Sequence, residues 1–268
     1  MSDKVDLYNN AYRGHDSEIY RQIRLATYGR DFGQTSWVST EESEAIPHFL
    51  HLSADSEVVE IGFGAGLYAI HLAKTTGCRI IGLEVNTQAV VTATELARQS
   101  SLASQVTFRQ HDVSLPLPFE SGRFHAAFSN DVFCHVPNRL ALLQELRRVL
   151  RPAGHLLFSD ALVIGGLITH AELATRSSIG LYVFAARGEN EKLLKDAGFE
   201  VVAVMDTTAN AALIAERWFS ARAARTAHLI ELEGQTNYEG LQRFLDCVTR
   251  LTRENRLLRY IYRAVKRD

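Results

Sequence analysis

Three glycines at alternate positions form the first pattern in the sequence that is typical of a ligand-binding site. The stretch VVEIGFGAGLYAI (58–70) runs from a β-branched segment containing Glu60 into Gly62, Gly64 and Gly66. Gly62 can adopt the positive φ needed to leave a strand, and Gly64 lets a ligand lie against bare backbone. Gly66 would open a helix, whose first backbone N–H groups form a positive, donor-rich end. The pattern predicts a turn that binds a nucleotide-like ligand.

The spacing of the glycines distinguishes between kinds of nucleotide. A dinucleotide fingerprint, GxGxxG, would place its third glycine at position 67, where this chain has Leu67. The observed GxGxG spacing, with Glu60 two residues before it, suits a ligand that has no pyrophosphate. Leu67 therefore argues against an NAD-dependent oxidoreductase.

Two further acids follow the next two predicted strands. Glu84 ends the segment RIIGLE, where a carboxylate can accept hydrogen bonds from ribose hydroxyls. Asp112 follows the next strand, where it could accept an adenine amino proton. Taken singly, each acid is equally well explained as a strand-end or loop carboxylate. Because ligands of parallel sheets bind at the carboxyl ends of the strands, the three acids together predict a nucleoside site.

The elements that must position these residues alternate between strand and helix patterns. Strands joined by helix-length crossovers imply parallel pairing, with helices on both faces of the sheet. Thr40 is the expected N-cap of the helix that precedes the core. The predicted strands cover 57–61, 79–85, 105–110, 124–130, 155–160, 200–206 and 257–266. The predicted helices cover 2–30, 41–50, 66–75, 87–101, 191–199, 209–230 and 237–254, with one more carrying leucines at 140, 143, 146 and 150.

Composition excludes several classes of function. The 268 residues, 46% of them hydrophobic, suit one α/β domain over 1–268, and the sequence offers no clean boundary. Basic and acidic residues nearly cancel (29 against 31), which argues against nucleic acid or an anionic membrane as a partner. Cys78, Cys134 and Cys247 lack CxxC spacing, and the polar start lacks a signal-peptide core. We therefore expect a cytoplasmic protein without a metal, and a homodimer is left open.

The core resembles the class I S-adenosylmethionine-dependent methyltransferases. EIGFGAG, LEVN, HDVSLPLPFESGRFHAAFSNDVFCHV and LRRVLRPAGHLLFSD look like successive motifs of that family, over roughly 55–160. The run that follows Asp112 is the most specific part. The resemblance implies an α/β, Rossmann-like seven-stranded sheet in the order 3-2-1-4-5-7-6, with strand 7 antiparallel. It also implies S-adenosylmethionine as the cofactor and in-line methyl transfer as the reaction.

The same resemblance assigns cofactor-binding residues. It places Glu60 near the methionyl amine, Glu84 at the ribose and Asp112 at the adenine. Phe63 stands where many relatives have cysteine, which alters packing beneath the cofactor but leaves the backbone contacts unchanged. The residues predicted to bind the cofactor are Gln34, Trp37, Glu60, Gly62, Phe63, Gly64, Gly66, Glu84, Val85, Asp112, Val113 and Asn130.

The flanks of the core point to a small-molecule acceptor. A helical cap over 1–50 contains the pre-core loop YGRDFGQTSW (28–37), in which Trp37 could shield the sulfonium. These flanks look like small-molecule methyltransferases of the glycine/sarcosine and dimethylglycine type, which favours an amine nitrogen as the methylated atom. Segments 161–188 and 207–255 are expected to cover the acceptor.

Methyl transfer from a sulfonium mainly requires alignment, and a base matters only where the acceptor carries a proton. His135 suits that role, since an unperturbed imidazole has a pKa of about 6.5. A helix-edge histidine bonded to backbone is an equally open interpretation. The predicted catalytic residues are His135, Tyr28 and Asp160. The predicted acceptor contacts are Tyr12, His170, Arg176 and Tyr182.

Two alternatives stay open. An apolar run after the fifth strand would suit O- or C-methylation of an aromatic or isoprenoid acceptor; its members are Leu162, Val163, Ile164, Leu167 and Ile168. The other alternative is a non-catalytic protein that binds S-adenosylmethionine without turnover.

Overall fold

An eight-stranded sheet forms the centre of the computed structural model, which describes residues 5–267. The strands are β1 (Glu57–Ile61), β2 (Arg79–Glu84), β3 (Val106–Gln110), β4 (Phe124–Ser129), β5 (Leu150–Ile164), β6 (Ala185–Ala186), β7 (Phe199–Asp206) and β8 (Leu257–Lys266). The helices are α1 (Tyr8–Arg13), α2 (Glu18–Tyr28), α3 (Thr40–Phe49), α4 (Leu67–Thr76), α5 (Thr87–Gln99), α6 (Arg139–Val149), α7 (His170–Arg176), α8 (Glu189–Asp196), α9 (Thr208–Ala223), α10 (Thr226–Glu233) and α11 (Gln235–Arg253).

The strand order confirms the predicted fold class. The sheet runs β3-β2-β1-β4-β5-β8-β7, and the two-residue β6 pairs with β5 off this path. β8 is antiparallel to both of its neighbours, whereas the pairs from β3 through β5 are parallel. With β6 set aside, this is the predicted order of seven strands, with the last one inserted antiparallel.

Both faces of the central strands β1, β4 and β5 are buried over most of their length, which explains why their sequences are largely apolar. Val58 belongs to the core cluster that includes residues of α4 and α5, and its neighbour Val59 to the cluster that includes residues of α6 and α8. A third cluster joins α2, α9 and α11 to Trp37 of the pre-core loop. This third cluster fixes the loop that borders the functional site.

Several predicted helix boundaries are corrected. The single helix expected over 2–30 is two helices, because the chain breaks at Gly14 between α1 and α2; residues 2–4 lie outside the described residues. Ser39 is the N-cap of α3 in place of Thr40, since Ser39 and Glu42 form a reciprocal capping box. The helix expected over 209–230 is interrupted between α9 and α10.

β5 also differs from its prediction. It starts at Leu150 and continues to Ile164, beyond the expected 155–160, because β8 and β6 pair with its distal half. Asp160 therefore lies inside a strand and not at its end.

Candidate active site

A cavity of about 370 Å³ lies at the carboxyl ends of β1, β2 and β4. It is closed on one side by Tyr8 and Tyr12 of α1, and by Ile179, Gly180 and Leu181 of the segment after α7. The predicted site residues that line it are Tyr12, Gln34, Glu60, Gly62, Phe63, Gly64, Glu84, Val85, Asn130 and His135.

Each of the three glycines is required at its position for a different structural reason. Gly62 has φ 73°, and a Cβ there would lie 2.3 Å from Cγ2 of Val132, so no side chain fits. Gly64 has φ 58° and faces the cavity, where the nearest side-chain atom would be 3.5 Å from a Cβ. Gly66 has φ 79°, and a Cβ there would be 2.5 Å from Ala93 of α5. Gly64 therefore leaves backbone open to a ligand, whereas Gly66 permits α4 to pack on α5.

Two acids face the cavity from β1 and β2. Glu60 is 3% exposed, and its Oε2 has no hydrogen-bond partner in the described part of the chain. Burial, together with the nearby carboxylate of Glu84, raises the pKa of Glu60 to about 8. Glu84 accepts hydrogen bonds from the backbone N–H groups of Val85 (2.9 Å), Asn86 (3.1 Å) and Gly64 (3.3 Å). Glu60 thus offers an incompletely satisfied carboxylate to a cationic or hydrogen-bond-donating ligand.

On the β4 side of the cavity, His135 is held between a tyrosine and a carbonyl. Its Nδ1 lies 2.9 Å from the carbonyl oxygen of Leu181, and its Nε2 lies 3.0 Å from the hydroxyl of Tyr8. Because a carbonyl only accepts, Nδ1 carries the proton in this assignment, and Nε2 accepts from the Tyr8 O–H. Burial lowers the pKa of His135. The neutral imidazole is therefore favoured, which is the form that can act as a base.

Tyr182 and Arg176, which were predicted to contact the acceptor, are not among the residues that line the cavity. The Tyr182 ring centroid lies 4.5 Å from that of His135. The Arg176 guanidinium lies over the ring of Tyr182, 4.6 Å from its centroid, and only 1% of Arg176 is exposed. Both residues thus stand behind residues of the cavity wall, and an acceptor contact by either of them stays a prediction.

Trp37 and Tyr28 also lie outside the cavity lining, and their predicted roles at the cofactor and in catalysis stay predictions. The Trp37 ring packs against Trp218, and its backbone N–H donates to Asp131 Oδ2 at 2.8 Å. The Tyr28 hydroxyl donates to the carbonyl of Ser36 at 2.8 Å. Both residues hold the pre-core loop in place, while Gln34, Thr35 and Ser36 of that loop line the cavity.

Asp160 and His170 are likewise placed away from the cavity. Asp160 is fully buried, forms an ion pair with Arg139 at 2.6 Å and accepts from Asn190 at 2.9 Å. Because β5 continues past Asp160, the carboxylate lies inside the sheet, where Arg139 and Asn190 already bind it. His170 is the first residue of α7 and is exposed.

Asp112 and Val113 stand next to the cavity but are not among its lining residues. The backbone N–H of His111 donates to the carbonyl of Glu84 at 2.9 Å, which holds this turn beside β2. Asp112 is exposed and accepts from the Ser114 N–H at 2.9 Å. An adenine contact by Asp112 stays a prediction.

Asp131 and Tyr8, which are not among the predicted cofactor-binding, catalytic or acceptor-binding residues given above, also line the cavity. Asp131 lines the cavity with φ 58°, uncommon for a residue with a side chain, and accepts from the Ser159 hydroxyl (2.8 Å) and from Arg259 Nε (2.9 Å). Arg259 is fully buried and also donates to Glu42 at 2.8 Å. The position of Asp131 directly after a predicted strand was an available signal, whereas nothing local indicated Arg259.

Within residues 5–267, no helix is long and apolar enough to cross a membrane. The same residues contain no group of three or more His, Cys, Asp or Glu side chains that could hold a metal ion.

Comparison with known proteins finds a family whose model matches part of the chain. Residues 59–158 match the family described as "Methyltransferase domain". The chain is 25% identical over 173 residues to 27-O-demethylrifamycin SV methyltransferase of Amycolatopsis mediterranei, covering 63% of each. It is 23% identical over 200 residues to glycine/sarcosine/dimethylglycine N-methyltransferase of Actinopolyspora halophila, covering 66% of this chain and 35% of that protein. The chain spans between about half and two thirds of the length of the first curated relatives it matches.

Solved structures share the fold. A Haemonchus contortus phosphoethanolamine N-methyltransferase 2, in complex with phosphomonomethylethanolamine and S-adenosylhomocysteine, superposes with a TM-score of 0.80 at 20% identity, covering 97% of this chain and 60% of that one. The [4+2]-cyclase SpnF superposes with a TM-score of 0.74 at 18% identity, covering 98% and 99%. At these identities the likeness shows the fold alone.

The cavity fits the cofactor of this family. S-adenosylmethionine carries an ammonium group, two ribose hydroxyls and a positively charged sulfur. The unpartnered Oε2 of Glu60 suits the ammonium, the Glu84 carboxylate suits the hydroxyls, and the bare backbone of Gly64 admits a close ligand. Residues 59–158 thus match a methyltransferase domain, and the cavity that these residues help to form fits S-adenosylmethionine.

Proposed function

We propose that the chain transfers a methyl group from S-adenosylmethionine to a hydroxyl oxygen of a small molecule. The observation that carries this proposal is the Tyr8–His135 hydrogen bond of 3.0 Å, on the β4 side of the cavity that also contains Glu60 and Glu84. When bound, the cofactor supplies a methyl carbon open to in-line attack. Glu60 and Glu84 would hold the cofactor, which leaves the β4 side of the cavity for the acceptor.

The Tyr8–His135 pair supplies a proton acceptor. Nε2 of the neutral imidazole accepts a hydrogen bond from the Tyr8 O–H. A hydroxyl placed against Tyr8 can therefore give its proton to Tyr8 while Tyr8 gives its own proton to His135. The Leu181 carbonyl, which accepts from Nδ1, stabilises the imidazolium that forms. The pre-core loop and α1 cover this side and exclude water.

Charge favours a neutral acceptor on this side of the cavity. Arg176 brings a buried positive charge behind the wall, and the Asp131 carboxylate is already bound by Arg259. A protonated amine would need a carboxylate that is not already compensated.

An amine acceptor, which the flanking sequence favours, is the second candidate. Asp131 lines the cavity beside Val132 and His135, and its carboxylate could accept from an amine despite its bond to Arg259. The fold by itself selects neither reaction, because a neighbour of the same length is named as a cyclase.

Methyl transfer to acceptor pairs that differ only in hydroxyl against amine tests the proposal. The protein is incubated with methyl-labelled S-adenosylmethionine and each acceptor, and the label is located by mass spectrometry and NMR. We expect an O-methyl product. Label on nitrogen alone would favour the second candidate, and donor binding without transfer to any acceptor would favour a non-catalytic binder.

His135→Gln should lower kcat by about 10²–10⁴-fold, the usual contribution of a general base, with donor affinity unchanged. Tyr8→Phe should lower kcat as well, because the relay to Nε2 is lost. The exposed His170→Gln serves as the matched control and should leave kcat unchanged. An unaltered rate and pH profile in His135→Gln would remove His135 from the mechanism.

A further inference from the structure

A second cavity, of about 200 Å³, lies beside the edge strand β3 and shares no lining residue with the cavity of the candidate active site. The amino ends of β1, β2 and β4 border it together with one face of β3. Val106 and Phe108 of β3 belong to the core cluster that includes residues of α4 and α5. Because successive side chains of a strand point to opposite faces, Thr107 and Arg109 lie on the other face, where both are exposed. A ligand can therefore reach this second cavity from solvent.

Three arginines and one carboxylate line the second cavity. Arg79 Nη2 lies 3.3 Å and Arg123 Nε lies 3.5 Å from the two carboxylate oxygens of Glu57, so two guanidinium groups share one acid. Arg109 has no carboxylate at ion-pair distance within residues 5–267. The guanidinium carbons of Arg109 and Arg123 lie 5.7 Å and 5.5 Å from the ring centroid of Phe119. Two positive charges thus stay uncompensated within one cavity.

The contacts within the chain leave most of the hydrogen-bonding capacity of these arginines unused. Both distances to Glu57 exceed the usual length of a charge-assisted hydrogen bond, about 2.7–2.9 Å. The side chains of Arg79 and Arg123 are 53% and 38% exposed, where an ion pair contributes little to stability. The chain as a whole is almost neutral, with 29 basic against 31 acidic residues, so the excess of positive charge is local. Folding stability therefore gives no reason for grouping three arginines here.

We propose that the second cavity binds a diphosphate group. Planar guanidinium groups bind phosphate oxygens in pairs, and a group with two or more negative charges compensates the two free cations. The volume of the cavity is well above the ~30 Å³ that one water molecule occupies, which suits a compact anion and not an extended polymer. Ser104, Gln105 and Thr107 also line the cavity and add hydroxyl and amide donors.

Glu57 competes with such a ligand for the arginines. Its carboxylate occupies donors of Arg79 and Arg123 that an incoming diphosphate would take. Replacing the acid by a neutral amide frees both guanidinium groups and removes a negative charge that repels the ligand. An anion site therefore predicts tighter binding in Glu57→Gln, whereas a surface that serves only stability predicts no gain.

Calorimetric titration of the full chain with inorganic pyrophosphate tests the site. We expect one pyrophosphate per chain and a Kd raised about tenfold or more in Arg109→Gln, because a charge-assisted hydrogen bond is lost. Glu57→Gln should lower the Kd. Arg243→Gln is the matched control, since Arg243 is 67% exposed on α11 and its loss changes the net charge equally; it should leave the Kd unchanged. Equal affinity in wild type and Arg109→Gln overturns the proposal.

Two further titrations identify the ligand. Citrate carries a similar charge in a different shape, so citrate that binds as tightly as pyrophosphate would overturn the assignment to a diphosphate. A short alkyl diphosphate that binds like pyrophosphate would support an ester as the source of the group. Binding of pyrophosphate without the ester would support the free anion.

A competition experiment locates the anion. Saturation with S-adenosylhomocysteine should leave the pyrophosphate affinity unchanged, because the two cavities have no lining residue in common. Displacement would place the anion in the active-site cavity and overturn the proposal. None of these measurements requires methyl transfer, so the diphosphate site and the proposed function can fail separately.

Discussion

The environment of Glu60 gives the most specific prediction about ligand binding. It is buried next to a second acid, and one of its oxygens has no partner in the described structure. A carboxylate in such a place stays protonated to unusually high pH, unless a cation arrives to favour the ionised form. The raised pKa of Glu60, about 8, is therefore a property of the ligand-free protein.

Cofactor binding should release about one proton near pH 7, because an ammonium beside Glu60 favours its carboxylate form. Calorimetry in buffers with different ionisation enthalpies measures this release. Glu60→Gln should bind more weakly and release no proton. Equal proton release by wild type and Glu60→Gln would show that Glu60 does not face the ammonium.

The same residue predicts the pH dependence of stability. Between its ordinary pKa of 4.5 and about 8, folded ligand-free protein holds a proton that the unfolded chain has released. The stability that this bound proton gives the folded protein is fully present below about pH 4.5 and is lost as the pH rises through about 8. Urea unfolding of Glu60→Gln should show a flatter dependence over this range, and an identical dependence would argue against the raised pKa.

At the scale of elements, the turn from β1 into α4 and the exit from β4 are fitted to each other. Val132, which follows β4, occupies the space that a side chain at Gly62 would need. The two turns thus approach closely on the cavity side of the sheet. The absence of a side chain at Gly62 allows the two turns to pack together, and its absence at Gly64 leaves space for a ligand.

Gly62→Ala should destabilise the protein by about 2–4 kcal/mol, through unfavourable positive φ and the overlap with Val132. Gly122→Ala is a matched control, because Gly122 also has positive φ (69°) but no atom within 4 Å of a Cβ. It should cost only about 1 kcal/mol. Chemical denaturation measures both, and equal losses would mean that the contact with Val132 carries no cost.

At the scale of the whole molecule, Arg259 joins parts of the chain that are far apart in sequence. It lies in β8 and binds Asp131 after β4, Glu42 in α3 and Thr207 before α9. Asp131 in turn holds the pre-core loop through the backbone of Trp37. The last strand thereby supports the cavity wall from behind.

Arg259→Met should destabilise the protein by about 3–5 kcal/mol, because it leaves two buried carboxylates without their cation. Arg253→Met is the comparison: Arg253 pairs with Glu216 at the surface, where an ion pair contributes less than about 1 kcal/mol. Hydrogen exchange of the Trp37 amide should also accelerate in Arg259→Met alone. Similar effects of the two substitutions would rule out a coupling role for Arg259.

The sequence alone determined the features that depend on local spacing. Alternation of strand and helix patterns predicted the parallel core, and the family resemblance added the antiparallel last strand. Glu60 and Glu84 were placed together because each stands at or near the carboxyl end of neighbouring parallel strands. Positions next to a strand end are encoded within a few residues, so a pattern can find them.

The tertiary structure decided which distant side chains meet. Tyr8 and His135 are 127 residues apart, and Arg259 and Asp131 are 128 apart, and neither pair has a local signature. Asp160 was expected at the cavity but is enclosed, because pairing with β8 extends β5 beyond it. Periodicity records which face of an element is buried, but not what that face is buried against. The acid pair was therefore predictable, whereas the Tyr8–His135 pair and the support behind it were not.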